Sequence, residues 1–177
     1  MRKQNFTFAR LQKRIEEFFR TMYQKARLLD CSENLVLVDS FQDIGGDKDR
    51  PTGFEPTRPP ITQVPRSIEI SLSDIVQELA KIAKPRSTLS SQLFAVLDKR
   101  SIEEDSGLVV QAKNGGVETV RVHFDTIATE LTRISMITFD ISETVELAKA
   151  APDGVFRTTP PKPDQRGGPA PRKKLGE

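Results

Sequence analysis

The chain has 177 residues, of which 36% are hydrophobic and 29% are charged, and its formal net charge is +2. One histidine and one cysteine exclude a two-histidine metal site, an intrachain disulfide and a CxxC motif within a single chain. The longest aliphatic run, Leu35 to Val38, is far shorter than the ~20 residues that span a bilayer. We therefore expect no transmembrane segment, and a location in the cytoplasm or in a particle assembled there.

The small net charge hides a separation of charge along the chain. Residues 1–29 carry eight Lys or Arg against two Glu, and residues 157–177 carry six basic against two acidic residues. Residues 67–156 carry nine basic and fourteen acidic residues. Two basic ends flanking an acidic middle indicate an anionic partner, or contact between the ends of one subunit and the middle of another.

Prolines divide the chain, because five fall within 51–65 and five within 160–171. Both stretches are expected to be extended, since proline fixes φ and donates no backbone hydrogen bond. We predict an N-terminal basic helix with a short strand at Leu35–Val38 (1–44) and a Pro-rich linker or arm (45–66). An α+β central domain (67–156) and a disordered basic Pro-rich tail (157–177) complete the chain.

Residues 5–29 predict an amphipathic helix, because apolar residues recur at steps of three and four. One stripe forms the predicted partner-binding face: Phe8, Leu11, Ile15, Phe18 and Met22. Basic residues of this helix and of the tail are the candidates for an anionic partner: Arg10, Lys13, Arg14, Arg20, Arg172, Lys173 and Lys174. The alternatives are that the stripe packs on the chain's own core, or that the helix self-associates or lies on a membrane surface or along phosphates.

The central domain is predicted to begin with two helices. Ser71 and Asp74 have capping-box spacing, which indicates a helix from about residue 72 that ends before Pro85. A second helix is predicted from residue 87 or 88 to about Arg100, on the spacing of its leucines and valine. Strands over 107–112 and 117–124 are predicted to pair as a hairpin, because Asn114-Gly115 suits a tight type I′ turn.

The remaining predicted elements are a helix that begins near Phe124-Asp125, a strand over 136–141 and a short helix from Ser142. Two helices followed by a hairpin resemble a winged-helix arrangement. Three consecutive acids, Glu103 to Asp105, would lie beside the supposed DNA surface and argue against phosphate contact. Such an arrangement therefore favours protein binding over DNA reading.

Catalytic chemistry has little support in the sequence. His123 lies in an alternating stretch and is interpreted as a half-exposed strand residue, because no nucleophile or orienting acid was recognised beside it. Cys31 has no evident positive surroundings and is interpreted as an unreactive thiol. No Gly-rich phosphate loop or calcium-loop pattern is present, so no metal, cofactor or catalytic residue is predicted.

The sequence therefore favours a small α+β protein that acts as a non-catalytic accessory, adaptor or structural subunit of a larger assembly. Its protein partners would be further copies of itself or other chains. The first alternative is a nucleic-acid-associated, winged-helix-like protein that uses its basic ends. The second is an enzyme with a carboxylate-only active site.

Overall fold

The computed structural model describes residues 2–28, 37–38, 57–61, 70–82, 90–113, 116–136 and 140–158, with side chains for all of these except 2–10, 26–28 and 82. In these ranges five helices and three strands follow one another. They are α1 (Arg2–Leu28), α2 (Leu72–Ile82), β1 (Leu93–Val96), α3 (Lys99–Glu103), β2 (Ser106–Lys113), β3 (Gly116–His123), α4 (Phe124–Met136) and α5 (Ser142–Ala150).

The three strands form one antiparallel sheet in the order β1-β2-β3. Leu93 lies opposite Gln111 in the first pair, and Lys113 lies opposite Gly116 in the second. On its other side β3 is bridged by Phe156, whose N–H donates to the Arg121 carbonyl at 2.8 Å. The segment after α5 therefore extends the sheet beyond β3.

Helices cover the sheet and bury its centre. Val109 and Val110 of β2 are both fully buried, and because neighbouring strand residues point to opposite faces, both faces are covered there. Gly107 permits this close packing, since an added Cβ would stand 3.1 Å from Ile127 Cδ1 and 3.2 Å from Leu97 Cδ2. A single hydrophobic cluster joins β2, β3, α4 and α5 with residues of α1 and with Ile61.

Short polar side chains define where several helices begin. Ser71 Oγ accepts the Asp74 N–H at 3.2 Å ahead of α2, as the capping-box spacing predicted. Asp98 accepts the Ser101 N–H at 3.0 Å, and the Ser101 hydroxyl accepts the Asp98 N–H at 3.1 Å in return. These bonds satisfy backbone donors that a helix start leaves without internal partners.

The coarse α+β prediction is confirmed by this mixture of helices and a small antiparallel sheet. Helices α1, α2, α4 and α5 lie where the apolar periodicity and the caps placed them. The more specific winged-helix-like arrangement is not confirmed and stays a prediction. The Asn114-Gly115 turn and the tail after residue 158 lie outside the described residues.

The helix predicted over 87–100 is wrong in its central part, because residues 93–96 form β1. The Ser90 hydroxyl accepts the Leu93 N–H at 2.9 Å, and β1 then pairs with β2 along its whole length. Leucines spaced three and four apart fit a short helix, but the tertiary pairing overrides that local pattern.

Two short strands were also predicted in places where the described residues do not form them. The strand over 136–141 is wrong at both ends, because Met136 closes α4 and Ile141 lies in the turn before α5. At Leu35–Val38, the two described residues, Leu37 and Val38, belong to no strand. The other residues of both stretches lie outside the described residues.

Candidate functional site

Helix α1 brings most of the predicted site residues together, and its described surface divides into four parts. The core stripe, which points into the hydrophobic cluster, consists of Leu11, Ile15, Phe18 and Met22. The charged flank beside α3 and the end of β3 consists of Arg14, Glu17 and Thr21. The arm flank, beside residues 57–61, consists of Gln12 and Tyr23. The outer face consists of Lys13, Glu16, Arg20 and Gln24.

The predicted partner-binding face coincides with the core stripe. Ile15, Phe18 and Met22 are 3%, 6% and 0% exposed, and Leu11 packs against the same cluster. The Phe18 ring lies edge-on to Phe124, with centroids 5.2 Å apart. Phe8 lies in α1, but its side chain is outside the described set. The chain's own core therefore occupies most of this face, and its role in binding a partner stays a prediction.

The basic candidates on α1 lie in different surroundings. Lys13 and Arg20 lie on the exposed outer face, where Arg20 forms an ion pair with Glu16 at 2.6 Å. Arg14 is half-buried on the charged flank instead. The side chain of Arg10 lies outside the described set, and so do all three tail candidates, Arg172, Lys173 and Lys174. An anionic partner would therefore meet only two of the described α1 candidates at the surface.

The charged flank of α1 is fixed by Arg14. Its guanidinium donates to Glu17 at 2.9 Å, to the Ile102 carbonyl at 3.3 Å and to the carboxylate of Asp105. These bonds join α1 to α3 and to the turn that leads into β2. Because the side chains of Glu17 and Asp105 are about half exposed, water screens the ion pairs and reduces their strength.

An open depression of about 250 Å³ lies beside this flank, lined by Arg14, Glu17, Thr21, Asp105, His123, Phe124 and Asp125. His123 ends β3, and its Nδ1 lies 2.7 Å from Asp125 Oδ1 at the start of α4. The Phe124 N–H donates to the Asp105 carbonyl at 2.8 Å, which holds Asp105 at the rim. The junction between β3 and α4 thus places an imidazole among three carboxylates.

The Asp125 carboxylate is stabilised in its charged form. Burial raises its pKa, but hydrogen bonds from His123 and Thr126 outweigh that effect and hold the pKa below its usual value. The contact with Asp125 fixes the orientation of the imidazole in the depression. Among the described residues, no Ser, Thr or Cys side chain is hydrogen-bonded to His123, so the pair has no activated nucleophile there.

Sequence reasoning did not find Asp125 as the partner of His123. The sequence did contain an indication of this pair, because the two residues are two positions apart at a predicted junction between a strand and a helix. Side chains two apart on a strand share a face, and an acid in the first turn of a helix is favoured by the helix dipole. His123 itself has the half-exposed position at the end of a strand that its alternating surroundings predicted.

The arm flank of α1 binds residues 57–61 of the predicted arm, which we call the arm segment. Tyr23 Oη donates to the Thr57 carbonyl at 2.8 Å, and Gln12 Nε2 donates to the Ile61 carbonyl at 2.6 Å. The Arg58 guanidinium lies 5.1 Å from the centre of the Tyr23 ring, within the range of a cation–π contact. Ile61 is 7% exposed and belongs to the hydrophobic cluster.

Two further polar networks hold elements together rather than forming an open site. Arg121 of β3, with its side chain 9% exposed, forms an ion pair with Asp98 ahead of α3. Burial raises the pKa of Asp98, but hydrogen bonds from Arg121 and Ser101 lower it more. The buried Glu130 of α4 accepts from the Thr144 hydroxyl of α5 at 2.8 Å. Both networks satisfy polar groups that would be costly to bury alone.

Metal binding and membrane crossing were also tested on the part of the chain that the structure describes. Within it, no three His, Cys, Asp or Glu side chains come together as a metal site, and no helix has the length and apolar composition to cross a bilayer. Comparison of the chain with family models, curated proteins and solved structures found no match.

Proposed function

We propose that the chain is a non-catalytic accessory, adaptor or structural subunit of a larger protein assembly, which docks through the N-terminal end of α1 and through its extended arms. The observation that carries this proposal is the length of α1. It has 27 residues and α4, the main helix it packs against, has 13. At ~1.5 Å per residue these lengths correspond to about 40 Å and about 20 Å.

Among the α1 residues whose side chains the structure describes, 11–25, the members of the cluster extend from Leu11 to Tyr23. The helix begins nine residues earlier, at Arg2. The sequence of this N-terminal segment, residues 2–10, combines Phe6 and Phe8 with three basic residues. A helical segment of this composition suits docking into an apolar groove with an acidic rim. In this proposal the docking role belongs to Phe8, while Ile15, Phe18 and Met22 hold the helix to the chain's own core.

The experiment compares Phe8→Glu with the matched control Thr7→Glu, which adds the same charge one residue away. Wild-type protein is expected to elute from a native-source lysate in a complex well above its monomer mass. Phe8→Glu should shift the protein to the monomer position while leaving the thermal transition of the purified chain unchanged. Retention of Phe8→Glu in the complex, or equal loss with Thr7→Glu, would contradict docking through this segment.

The nucleic-acid alternative predicts a different measurement. Arg14 and Arg20 already form ion pairs with carboxylates, which weakens the case for phosphate contacts along α1. If the two basic ends supplied ~4–6 phosphate contacts, the affinity for duplex DNA would change with salt with a log–log slope of about −4 to −5. We expect binding no tighter than micromolar at physiological salt. A sequence-specific nanomolar complex would replace the adaptor proposal with this alternative.

A further inference from the structure

The arm flank of α1 recognises the arm segment mainly through groups that any extended peptide carries. Both side-chain donors, Gln12 and Tyr23, bind backbone carbonyls. The Thr57 hydroxyl accepts the Leu37 N–H at 2.9 Å, and the Arg58 guanidinium covers the Tyr23 ring. The buried Ile61 adds the apolar anchor. The site thus has the chemistry of a peptide-binding groove, with added side-chain contacts at a threonine, a basic residue and an aliphatic residue.

The arm segment is joined to the rest of the chain by long connections on both sides. Nineteen residues separate Leu37 from Thr57, and ten separate Ile61 from Leu72. At ~3.3 Å per residue these connections reach at most about 60 Å and about 33 Å. Both distances suffice to carry residues 57–61 onto a neighbouring copy while α1 and α2 stay on their own molecule.

We propose that the arm segment is exchanged between copies, so that residues 57–61 of one chain occupy the arm flank of α1 on a second copy. This inference rests on the proposed role as an assembly subunit and names the contact that links like subunits. A second copy offers the identical peptide, so every contact described for the arm segment is preserved across the new interface. The one difference is that the arm segment and the α1 that it contacts then belong to different chains.

Concentration decides between the two arrangements. A segment tethered to its own site acts at an effective concentration of roughly millimolar, so the closed monomer prevails in dilute solution. In an assembly that holds copies next to one another, the arm segments of neighbouring copies reach a similar local concentration and compete for the same site. Exchange is therefore expected when copies are gathered, and the purified chain should show a dimer that grows with protein concentration.

The test uses two variants, of which one has a damaged arm segment and the other a damaged arm flank. In neither variant can the arm segment bind the flank of its own chain. The arm variant carries Arg58→Ala and Ile61→Asp and keeps its α1 flank. The site variant carries Gln12→Ala and Tyr23→Ala and keeps its arm. Should Ile61→Asp fail to fold, Ile61→Ser replaces it. Each full-length variant is purified alone, and the two are then mixed with tags of different mass and analysed by native mass spectrometry and light scattering.

The mixture should form a heterodimer at least ~10-fold more abundant than the dimer in either variant alone, because only the mixture pairs an intact arm with an empty, intact site. Absence of that heterodimer from folded variants would overturn the proposal. The tail repeats the Thr-X-Pro-Pro pattern at Thr158–Pro161. Replacing Pro160 and Pro161 by Ser in the site variant should leave the heterodimer intact, whereas its loss would assign the tail as the occupant.

This experiment and the Phe8→Glu experiment fail independently. The mixture contains only the purified chain, so a missing heterodimer would exclude arm exchange and leave docking through the N-terminal segment of α1 untouched. Conversely, a heterodimer in this mixture together with retention of Phe8→Glu in the native complex would support arm exchange and contradict docking through the N-terminal segment of α1.

Discussion

The two flanks of α1 are bound to the rest of the chain by different kinds of interaction. On the charged flank, Arg14 is bound to carboxylates that are about half exposed to water. On the arm flank, neutral donors bind backbone carbonyls and Ile61 enters the core. Screened ion pairs contribute little, typically below ~1 kcal/mol, whereas burying an aliphatic side chain contributes about 1.5–3 kcal/mol. The arm flank should therefore contribute more to stability than the charged flank, and the contribution of the charged flank should depend on salt.

The largest effect is expected where both flanks meet, at the core stripe. Phe18→Glu places a charge among Phe19, Phe124 and the buried hydrophobic residues of α4. We expect the free energy of unfolding to fall by ~3 kcal/mol or more, with loss of soluble folded protein. Thermal denaturation with Lys13→Glu as the exposed control measures this. A folded Phe18→Glu chain with an unchanged transition would show that the stripe does not belong to the core.

The arm flank is tested by Ile61→Ala. Truncating this buried side chain should lower the free energy of unfolding by ~2–4 kcal/mol, with little dependence on salt. Urea unfolding at low and at 0.5 M salt measures both properties. The matched control is Arg58→Ala, which among the described residues removes the contact over the Tyr23 ring and should cost below ~1 kcal/mol. Equal losses from the two variants would mean that the arm is held by its cation rather than by its apolar anchor.

The core stripe and the arm flank of α1 also differ in how far the sequence could predict them. The stripe of α1, the Ser71 cap and the helices α4 and α5 follow from local periodicity and caps, and all were predicted. The arm contacts join Gln12 to Ile61 and Tyr23 to Thr57, which are 49 and 34 positions apart. No local pattern encodes such pairs, because they depend on how separate elements meet.

The strand β1 shows the same limit within the central domain. Its four residues have a spacing that a helix also satisfies, and only pairing with β2 selects the extended form. The His123–Asp125 pair lies between these cases, because its separation of two residues was visible but its geometry depends on where β3 ends and α4 begins. Local chemistry therefore predicted most helices, and the contacts that form the candidate site had to be observed.

The charged flank is tested by Arg14→Ala against Arg20→Ala. Arg14 joins α1 to Asp105 and to the Ile102 carbonyl, while Arg20 contacts only Glu16 on the same helix among the described residues. Arg14→Ala should lower the free energy of unfolding by ~0.5–1 kcal/mol, and Arg20→Ala by less than ~0.5 kcal/mol. The Arg14 effect should shrink at 0.5 M salt, because screening weakens the ion pairs in the wild type. A larger loss that does not depend on salt would show that Arg14 stabilises the fold by packing and neutral contacts, as on the arm flank, and not by screened ion pairs.

The smallest expected effect is the pH dependence of stability that arises from Asp125, beside the charged flank. Its pKa is held below the usual value by His123 and Thr126, and the charged groups facing it include Lys25. A carboxylate with a lowered folded-state pKa adds stability above its unfolded pKa of ~3.9, and that stability is lost as the pH falls through the folded value.

Wild type should therefore exceed Asp125→Asn in unfolding free energy at pH 7, by less than ~1 kcal/mol because the side chain is partly exposed. The difference should decrease as the pH falls below the unfolded pKa of ~3.9, and it should be smaller at pH 7 in a His123→Phe background, which removes one of the two donors. Urea unfolding of wild type, the two single variants and the double variant across this pH range measures the difference. A difference that persists unchanged in acid would show that the charge of Asp125 does not contribute to stability.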